Sequence, residues 1–193
     1  RYLNDMVKAE RCSWSGDDPL YVDYHDREWG IPEYDGPALF ERLVLEGMQA
    51  GLSWYTILKK REHMRSVFFG FEPAQLARRG EPRIADWLED TGIIRHRGKL
   101  EAMVCNAKAY IALDDFSALV WSFVDGVPQQ NAHARLDDIP AQTAASVAMA
   151  KSLKSCGFRF VGPTTCYAFM QSAGMVNDHL VSCPSYQRCK EFV

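Results

Sequence analysis

The chain has 193 residues, of which 47% are hydrophobic and 24% charged, and a formal net charge of −3. These values are ordinary for a globular protein, so residues 1–193 are expected to form one domain without a general attraction for nucleic acid. No apolar run approaches the length of a membrane span, and the polar first ten residues do not resemble a signal peptide. We therefore expect a cytoplasmic protein without a membrane partner, whose cysteines are reduced or metal-bound rather than paired.

Amphipathic helix patterns dominate the sequence. Pro37 suits the first turn of one helix, Gly51 suits its end, and Ser53 can cap the helix that follows. No segment alternates convincingly between apolar and polar residues, as a half-buried strand would. The sequence therefore predicts an all-α fold with helices over 37–51, 54–68, 99–113, 141–156 and 163–174.

The last two predicted helices are joined only by the six residues GFRFVG at 157–162. A short connection bounded by glycines usually serves helix packing, and the pattern alone favours that interpretation. The alternative is that Gly162 and Pro163 turn the N-terminus of the second helix outward, where its free amides and dipole bind a phosphate. Such a site would reconcile DNA binding with the net charge of −3.

Cysteine and histidine occur in pairs near both ends of the chain. His179 and Cys183 stand four residues apart, a spacing that places both on one face of a helix, and Cys12 and His25 lie thirteen apart. Together they have the number and softness of donors for a closed tetrahedral zinc site that ties the two ends of the chain together. The alternative, buried thiols and hydrogen-bonded histidines, is favoured by pattern alone because neither pair has a standard zinc-finger spacing.

A carboxyl group lies on the apolar stripe of the 37–51 helix, at Glu46. A buried carboxyl belongs either to a structural hydrogen-bond network, which is the commoner case, or to a pocket. Tyr21 and Tyr24 share one helical face in an aromatic-rich segment, and Trp54 follows Glu46 closely in the sequence. If these aromatic rings converge on the carboxyl, a pocket for a flat, cationic ligand is the better explanation.

Basic residues cluster at the entry to the 99–113 helix, and a second run occupies LKKRE at 58–62. A charge run is usually only a solvated face, but two runs in a mildly acidic chain indicate local phosphate contacts. The candidates in the first run are Arg95, Arg97 and Lys99. The G-x-S-x-G, P-loop, H-E-x-x-H and zinc-deaminase signatures are all absent from the sequence.

Several long segments, taken in order, resemble the 3-methyladenine DNA glycosylase I family of the helix-hairpin-helix superfamily. They are RCSW, DPLYVDYHDREWGIP, LFERLVLEGMQAGLSW, GIIRHRGK, VWSFV and GFRFVGPTTCYAFMQSAGMVNDH, followed by Cys183. The resemblance covers almost the whole chain. It implies a helical glycosylase fold whose helix-hairpin-helix motif spans roughly 144–174.

The resemblance also implies roles for individual residues. A structural zinc would join the segments 12–25 and 179–183 through Cys12, His25, His179 and Cys183. A base pocket would be formed by Tyr21, Tyr24 and Trp54, with Glu46 as its acidic, catalytic residue. Glu46 would accept hydrogen bonds from the N6 amino group or the N7 side of adenine and reject the O6 acceptor of guanine. Stabilisation of the oxocarbenium-like sugar and orientation of the attacking water are the alternative roles for this carboxyl. The hairpin, with Gly162, would bind the DNA backbone.

The implied activity is hydrolysis of the N-glycosidic bond of 3-methyladenine in alkylated duplex DNA, after base flipping, by a bacterial cytoplasmic monomer. The products are an abasic site and free 3-methyladenine. Related glycosylases carry a catalytic Asp where this chain has Asn177, and Asp178, one place later, is expected to point elsewhere. The chain also has no lysine at the position where the lyases of the superfamily carry the lysine that forms a Schiff base. This implies a monofunctional enzyme, with a non-cleaving module that binds alkylated DNA through the same pocket as the alternative.

Overall fold

The computed structural model describes residues 10–193; residues 1–9 of the predicted domain, and the signal-peptide prediction that rests on them, lie outside the described residues. Within that range no helix is long and apolar enough to cross a membrane. The α-helices, in chain order, are α1 (Pro19–Arg27), α2 (Gly36–Met48), α3 (Trp54–Val67), α4 (Pro73–Arg79), α5 (Ile84–Trp87), α6 (Arg97–Ile111), α7 (Phe116–Trp121), α8 (Ala144–Ser155), α9 (Pro163–Ser172) and α10 (Pro184–Lys190).

The predicted all-α character is confirmed, because the five helices expected from the sequence are α2, α3, α6, α8 and α9. The helices that the sequence patterns did not predict include α4, α5, α7 and α10, which have seven residues or fewer and are too short for a periodic pattern. The regular strand pairing among residues 10–193 is a two-residue parallel contact between β1 (Gln129–Gln130) and β2 (Val176–Asn177).

Helix α2 occupies the centre of the fold and packs against α6, α7 and α9. It begins where the Asp35 carboxylate accepts a hydrogen bond from the Ala38 amide at 3.0 Å, with Pro37 in the first turn. Its apolar stripe, including Phe40 and Leu43, is completely buried. Each such side chain contributes about 1.5–3 kcal/mol through burial, which fixes the helix that carries Glu46.

Helices α8 and α9 are joined by a tight connection, residues 156–162. Gly157 adopts a φ of +93° just after α8 and redirects the chain, a conformation that suits glycine. The buried Asn106 side chain on α6 then holds the connection, since it donates to the Arg159 carbonyl at 3.0 Å and accepts from the Arg159 amide at 2.7 Å. The connection therefore has a fixed position relative to α6.

The segment that contains His179 and Cys183 is not helical, so the prediction that the two share a helix face is wrong. Pro184 opens α10 and restricts the preceding Cys183 to an extended conformation, with φ −80° and ψ 133°. A turn closed by the Cys183 amide and the Leu180 carbonyl at 2.9 Å brings the two side chains together instead.

Candidate functional site

Helix α1 carries residues of two adjacent sites. Asp18 caps it by accepting from the Leu20 amide at 2.9 Å and also accepts from the Tyr55 hydroxyl at 2.6 Å, which ties α1 to α3. Tyr21 and Tyr24 line a cavity, as their i, i+3 spacing predicts. The neighbouring His25 is completely buried on another side of the helix, in a cluster of cysteine and histidine. The relative position of the cavity and the cluster is therefore set by one short helix, α1.

The cavity has a volume of about 230 Å³, less than the usual range for drug-sized ligands, and it suits a single planar ring system. The Tyr24 and Trp54 rings lie with centroids 5.2 Å apart and are tilted by 39°. Ser53, as predicted, caps α3 by accepting from the Thr56 amide, so Trp54 is held at the first position of that helix. The residues that line the cavity are Trp14, Tyr21, Tyr24, Trp29, Glu46, Gln49, Trp54, Ile139, Ala168 and Gln171.

Glu46 is the acidic residue of this cavity, and its side chain is almost entirely buried, with the residue 6% exposed. Burial raises the pKa of Glu46 from 4.5 to about 8, because the charged form loses its hydration. The Ser172 hydroxyl and the Arg42 guanidinium oppose this shift without cancelling it. The carboxyl is therefore mostly protonated at neutral pH and can both donate and accept a hydrogen bond.

The two tyrosines remain hydroxyl donors at neutral pH. Burial raises the pKa of Tyr24 well above its ordinary value, and the nearby charge of Glu46 raises it further. The same two causes raise the pKa of the half-buried Tyr21. The cavity thus combines aromatic faces with a carboxyl and two phenol groups, and at neutral pH all three are uncharged.

A shallow groove of about 250 Å³ leads from Glu46 to the N-terminus of α9. It is bordered on one side by the loop after α2, which includes the 41% exposed Leu52, and on the other by Thr164 and Thr165. Gly162 is the N-terminal cap residue of α9 and offers no side-chain acceptor to the first-turn amides. This geometry leaves the positive end of the helix dipole at the mouth of the cavity.

Two of the three predicted basic residues are exposed beside this connection. Arg95 and Arg97 flank His96, whose ring lies 6.1 Å from that of Phe160 in the 156–162 connection. Lys99 is different, because it is only 6% exposed and its ammonium group donates to the Met48 carbonyl at 2.8 Å.

The prediction of Lys99 as a DNA-binding residue therefore has to be corrected. Its ammonium group also donates to the Ala50 carbonyl at 2.5 Å and so satisfies carbonyl groups at and just after the C-terminal end of α2. Desolvation lowers the pKa of Lys99. The cause of the error is local: His96 caps α6 by accepting from the Lys99 amide at 3.1 Å, which starts the helix two residues early and turns Lys99 inward.

The four predicted metal ligands lie together, and each is at most 3% exposed. The Cys12 sulfur lies 3.7 Å from His179 Nδ1, and the Cys183 sulfur lies 3.6 Å from His25 Nε2 and 3.9 Å from His179 Nδ1. Tetrahedral zinc bonds of about 2.0–2.3 Å place neighbouring donor atoms about 3.5–3.8 Å apart. These three separations are close to those values, and the four donor atoms all lie within 4.8 Å of one another, so the side chains could hold a metal ion.

The surroundings of the cluster also fit a metal ion. His25 Nδ1 lies 2.7 Å from an Asp26 oxygen, and His179 Nε2 lies 2.9 Å from the Trp29 carbonyl, so the other nitrogen of each ring is left to face the cluster. Gly30 has a φ of +82°, and a Cβ there would lie 3.0 Å from the His179 ring. A larger residue at this position would press on that ligand.

Asn177 and Asp178 do not line the cavity. The Asn177 amide donates to Gln130 and to the Tyr186 carbonyl, and Asp178 is completely buried behind α9. The expectation that Asp178 points away from the pocket thus agrees with its position.

Two residues near the site were not predicted from the sequence. Gln171 lines the cavity on α9, and Arg159 is exposed in the connection between α8 and α9. The GFRFVG motif was a signal for Arg159.

These features define a helical protein with an aromatic cavity of nucleobase size and a metal-binding cluster that joins two distant parts of the chain. The sequence profile of the methyladenine glycosylase family matches residues 14–186, and the chain belongs to that family.

The chain is 51% identical over 181 residues to DNA-3-methyladenine glycosylase 1 of Escherichia coli, covering 92% of this chain and 97% of that relative. A DNA-3-methyladenine glycosylase of Haemophilus influenzae is 51% identical over 178 residues, covering 90% and 96%. Among solved structures, a 3-methyladenine DNA glycosylase I has a TM-score of 0.89 at 53% identity, covering 91% of this chain and 98% of the other. Another glycosylase of this kind, in complex with 3-methyladenine, has a TM-score of 0.87 at 39% identity, covering 91% and 96%.

Proposed function

We propose that this single-domain protein excises 3-methyladenine from alkylated duplex DNA, by hydrolysing the N-glycosidic bond of a base flipped into the cavity. The observation that carries the proposal is the buried carboxyl of Glu46 in the same cavity as Tyr21, Tyr24 and Trp54. The names of the close bacterial relatives support it. Because weak pairing lowers the cost of flipping an alkylated base, the flipping step itself contributes to selection.

The aromatic rings select the positive charge of the alkylated base. N3-methylation leaves adenine cationic while it is still attached to the sugar, and an aromatic face stabilises a desolvated cation by about 0.5–2 kcal/mol per contact. Trp54 stacks on the flipped base, and Tyr21 and Tyr24 close the cavity around it. The cavity volume of about 230 Å³ is sufficient for one base.

Protonated Glu46 recognises adenine through the N6 amino group and N7. With a pKa of about 8, the carboxyl donates a hydrogen bond to N7 and accepts one from the N6 amino group. The expectation that Glu46 accepts a hydrogen bond at the N7 side is thereby reversed, because N7 carries no hydrogen. Guanine carries an acceptor at O6, which would face the carbonyl oxygen of Glu46 without a proton between them. An unmade hydrogen bond of this kind costs about 1–3 kcal/mol, which is enough to discriminate between the two bases.

The chemistry needs no general acid for the leaving base. The bond between C1′ and N9 breaks, and its electron pair moves onto the base and neutralises its positive charge. Water then forms the new bond to C1′ and releases a proton to solvent, which leaves an abasic site. The Asn177 position therefore does not need the carboxylate that other glycosylases carry there, consistent with a monofunctional enzyme.

The α8–α9 connection acts as a helix-hairpin-helix element that binds the DNA backbone. The first-turn amides of α9 bind a phosphate at Gly162, and exposed Arg95, Arg97 and Arg159 provide further contacts on the same side. Few ion pairs are involved, so the affinity depends only weakly on salt. The groove from α9 to Glu46 gives the flipped base its path into the cavity.

The protein works as a monomer in the bacterial cytoplasm.

The cysteine and histidine cluster binds one structural zinc ion. Cys12, His25, His179 and Cys183 fill all four positions of a tetrahedral site, so the ion has no open position for water and takes no part in the reaction. When bound, zinc would hold the segment before α1 against the segment before α10. Its effect on the pocket is indirect, through the position of α1.

Chromatography of bases released from alkylated duplex DNA tests the proposal. The DNA carries both 3-methyladenine and 7-methylguanine, and we expect selective release of 3-methyladenine by the wild-type protein and much less release by Glu46→Ala. Release of both bases would contradict the recognition of the N6 edge. If a folded protein bound free 3-methyladenine but released nothing, it would be a non-cleaving binding module and not an enzyme.

A further inference from the structure

Asp178 forms a buried hydrogen-bond network behind the cavity. The residue is completely buried, and one of its oxygens, Oδ1, lies 2.7 Å from Asn131 Nδ2 and 3.1 Å from His133 Nε2. The other oxygen, Oδ2, accepts from the Tyr167 hydroxyl and from Gln171 Nε2 at 2.9 Å. Of these partners, Gln171 is the one that also lines the cavity.

Within this network, the contacts at Asp178 Oδ2 fix the orientation of the Gln171 amide, whereas Asn131 and His133 contact only Oδ1. Nε2 must face Asp178, because the reversed amide would place Oε1 against a carboxylate oxygen that already accepts from Tyr167. Oε1 is thus turned away from Asp178, and no donor among residues 10–193 lies within hydrogen-bonding distance of it. Oε1 is not one of the fully buried polar atoms that lack a partner, so a ligand can reach it, and Gln171 lines the cavity.

We infer that Gln171 is a specificity-determining residue, whose Oε1 accepts a hydrogen bond from the exocyclic amino group of the flipped base. Asp178 is then a positioning residue, which acts on the base only through the Gln171 amide. This inference rests on the proposed function and extends it to a residue on α9, opposite Glu46 on α2.

The two residues match the two protons of the N6 amino group. Glu46 accepts a hydrogen bond from one N–H of this group while it donates a hydrogen bond to N7, and Gln171 accepts a hydrogen bond from the other N–H. A base with an oxygen at C6 would face an acceptor on both sides, and neither could be satisfied. Gln171 therefore strengthens the discrimination against guanine that Glu46 begins, and it does so with a neutral group in a pocket for a cationic base.

Titration calorimetry with free bases tests the inference through Gln171→Met, which keeps the length of the side chain and removes the acceptor. The ligands are 3-methyladenine and 3-methylpurine, which lacks the amino group. We expect the substitution to weaken 3-methyladenine binding about fivefold to tenfold and to leave 3-methylpurine binding unchanged. An equal loss for both ligands would indicate a structural effect and overturn the inference.

Asn131→Leu is the matched control, because Asn131 also donates to Asp178 but does not line the cavity. We expect it to leave both affinities unchanged. If wild type and Gln171→Met bound 3-methyladenine with equal affinity, the inference would be overturned. This holds even if Gln171→Met excised the base more slowly, because the role of Oε1 would then lie in the reaction, for example with the attacking water, and not in recognition of the base. Wild-type protein that fails to bind 3-methyladenine would refute the proposed pocket itself, and so the two failures are distinguishable.

Discussion

Replacement of the buried carboxyl by a neutral isostere, Glu46→Gln, should change how the stability of the protein depends on pH. The pKa of Glu46 is about 8 in the folded protein against 4.5 for an unperturbed carboxyl. The unfolded chain therefore loses this proton at lower pH than the folded protein. The resulting stabilisation is fully present below pH 4.5 and is lost as the pH rises through about 8.

The size of the effect follows from the two pKa values. Between pH 5 and pH 9, values of 4.5 and about 8 correspond to a loss of about 4 kcal/mol in the free energy of unfolding. For a chain of this length, 1 kcal/mol shifts the melting temperature by about 2–4 °C. Glutamine does not titrate, so the melting temperature of Glu46→Gln relative to wild type should rise by about 8–16 °C over this range.

Thermal unfolding followed by circular dichroism at pH 5, 7 and 9 measures this difference directly. All other titrating groups are common to both proteins, and the comparison therefore isolates Glu46. Glu89→Gln removes a carboxyl from an exposed position and is the matched control, whose curve should run parallel to that of wild type. A Glu46→Gln curve that also ran parallel to wild type would refute the argument that burial keeps this carboxyl protonated.

Three further predictions concern the cavity, the DNA contacts and the cluster. Trp54→Leu should weaken binding of free 3-methyladenine about 2- to 12-fold by calorimetry, because the free base is neutral and only aromatic stacking is lost. Tyr34→Leu, a change at an exposed ring that stacks on Trp121, should leave this affinity unchanged. Arg97→Ala should reduce the slope of log affinity for DNA against log salt by about 0.9, whereas Lys99→Met should lower the melting temperature and keep the slope. Cys183→Ser should abolish bound zinc in a metal analysis and lower stability sharply, while Cys156→Ser, outside the cluster, should retain one ion per chain.

The parts of the fold that follow from local chemistry could be predicted from the sequence. The long amphipathic helices and the Ser53 cap depend on neighbouring residues, so their spacing was sufficient to find them. The buried position of Glu46 followed from the same periodicity. The convergence of Tyr24 and Trp54 on that carboxyl depends on how α1 and α3 pack, and only the family resemblance indicated it.

The errors arose where a local pattern was overridden by a neighbouring residue. Lys99 was read as part of a basic surface run, but the cap formed by His96 sets the register of α6 and directs its side chain to the end of α2. His179 and Cys183 do meet, although Pro184 prevents the helix that their spacing suggested. Gln171 gave no sequence signal, because its role depends on a hydrogen bond to a carboxylate seven residues later.

Glu46 is the one carboxyl among the described residues that line the cavity, and this limits which lesions the protein can remove. N3-methyladenine supplies its own positive charge, and the site then needs only to bind the base and admit water. Replacing the alkylated nitrogen by carbon, as in the 3-deaza analogue, keeps the shape, the methyl group and the N6 edge but removes the charge. Duplex DNA with this analogue should still bind, since Glu46 and the aromatic rings contact the same atoms, with some loss of cation–π attraction.

The same duplex should be cleaved far more slowly, because a neutral base leaves as an anion unless the hydrogen bond that Glu46 donates to N7 becomes a full proton transfer, and a carboxyl with a pKa of about 8 is a weak acid for that step. Incubation with excess protein, followed by alkaline cleavage of abasic sites and gel electrophoresis, measures this outcome. A duplex with 3-methyladenine at the same position is the positive control. Excision of the analogue at a comparable rate would mean that Glu46, protonated at neutral pH, acts as a general acid, and that the enzyme is selective through binding alone.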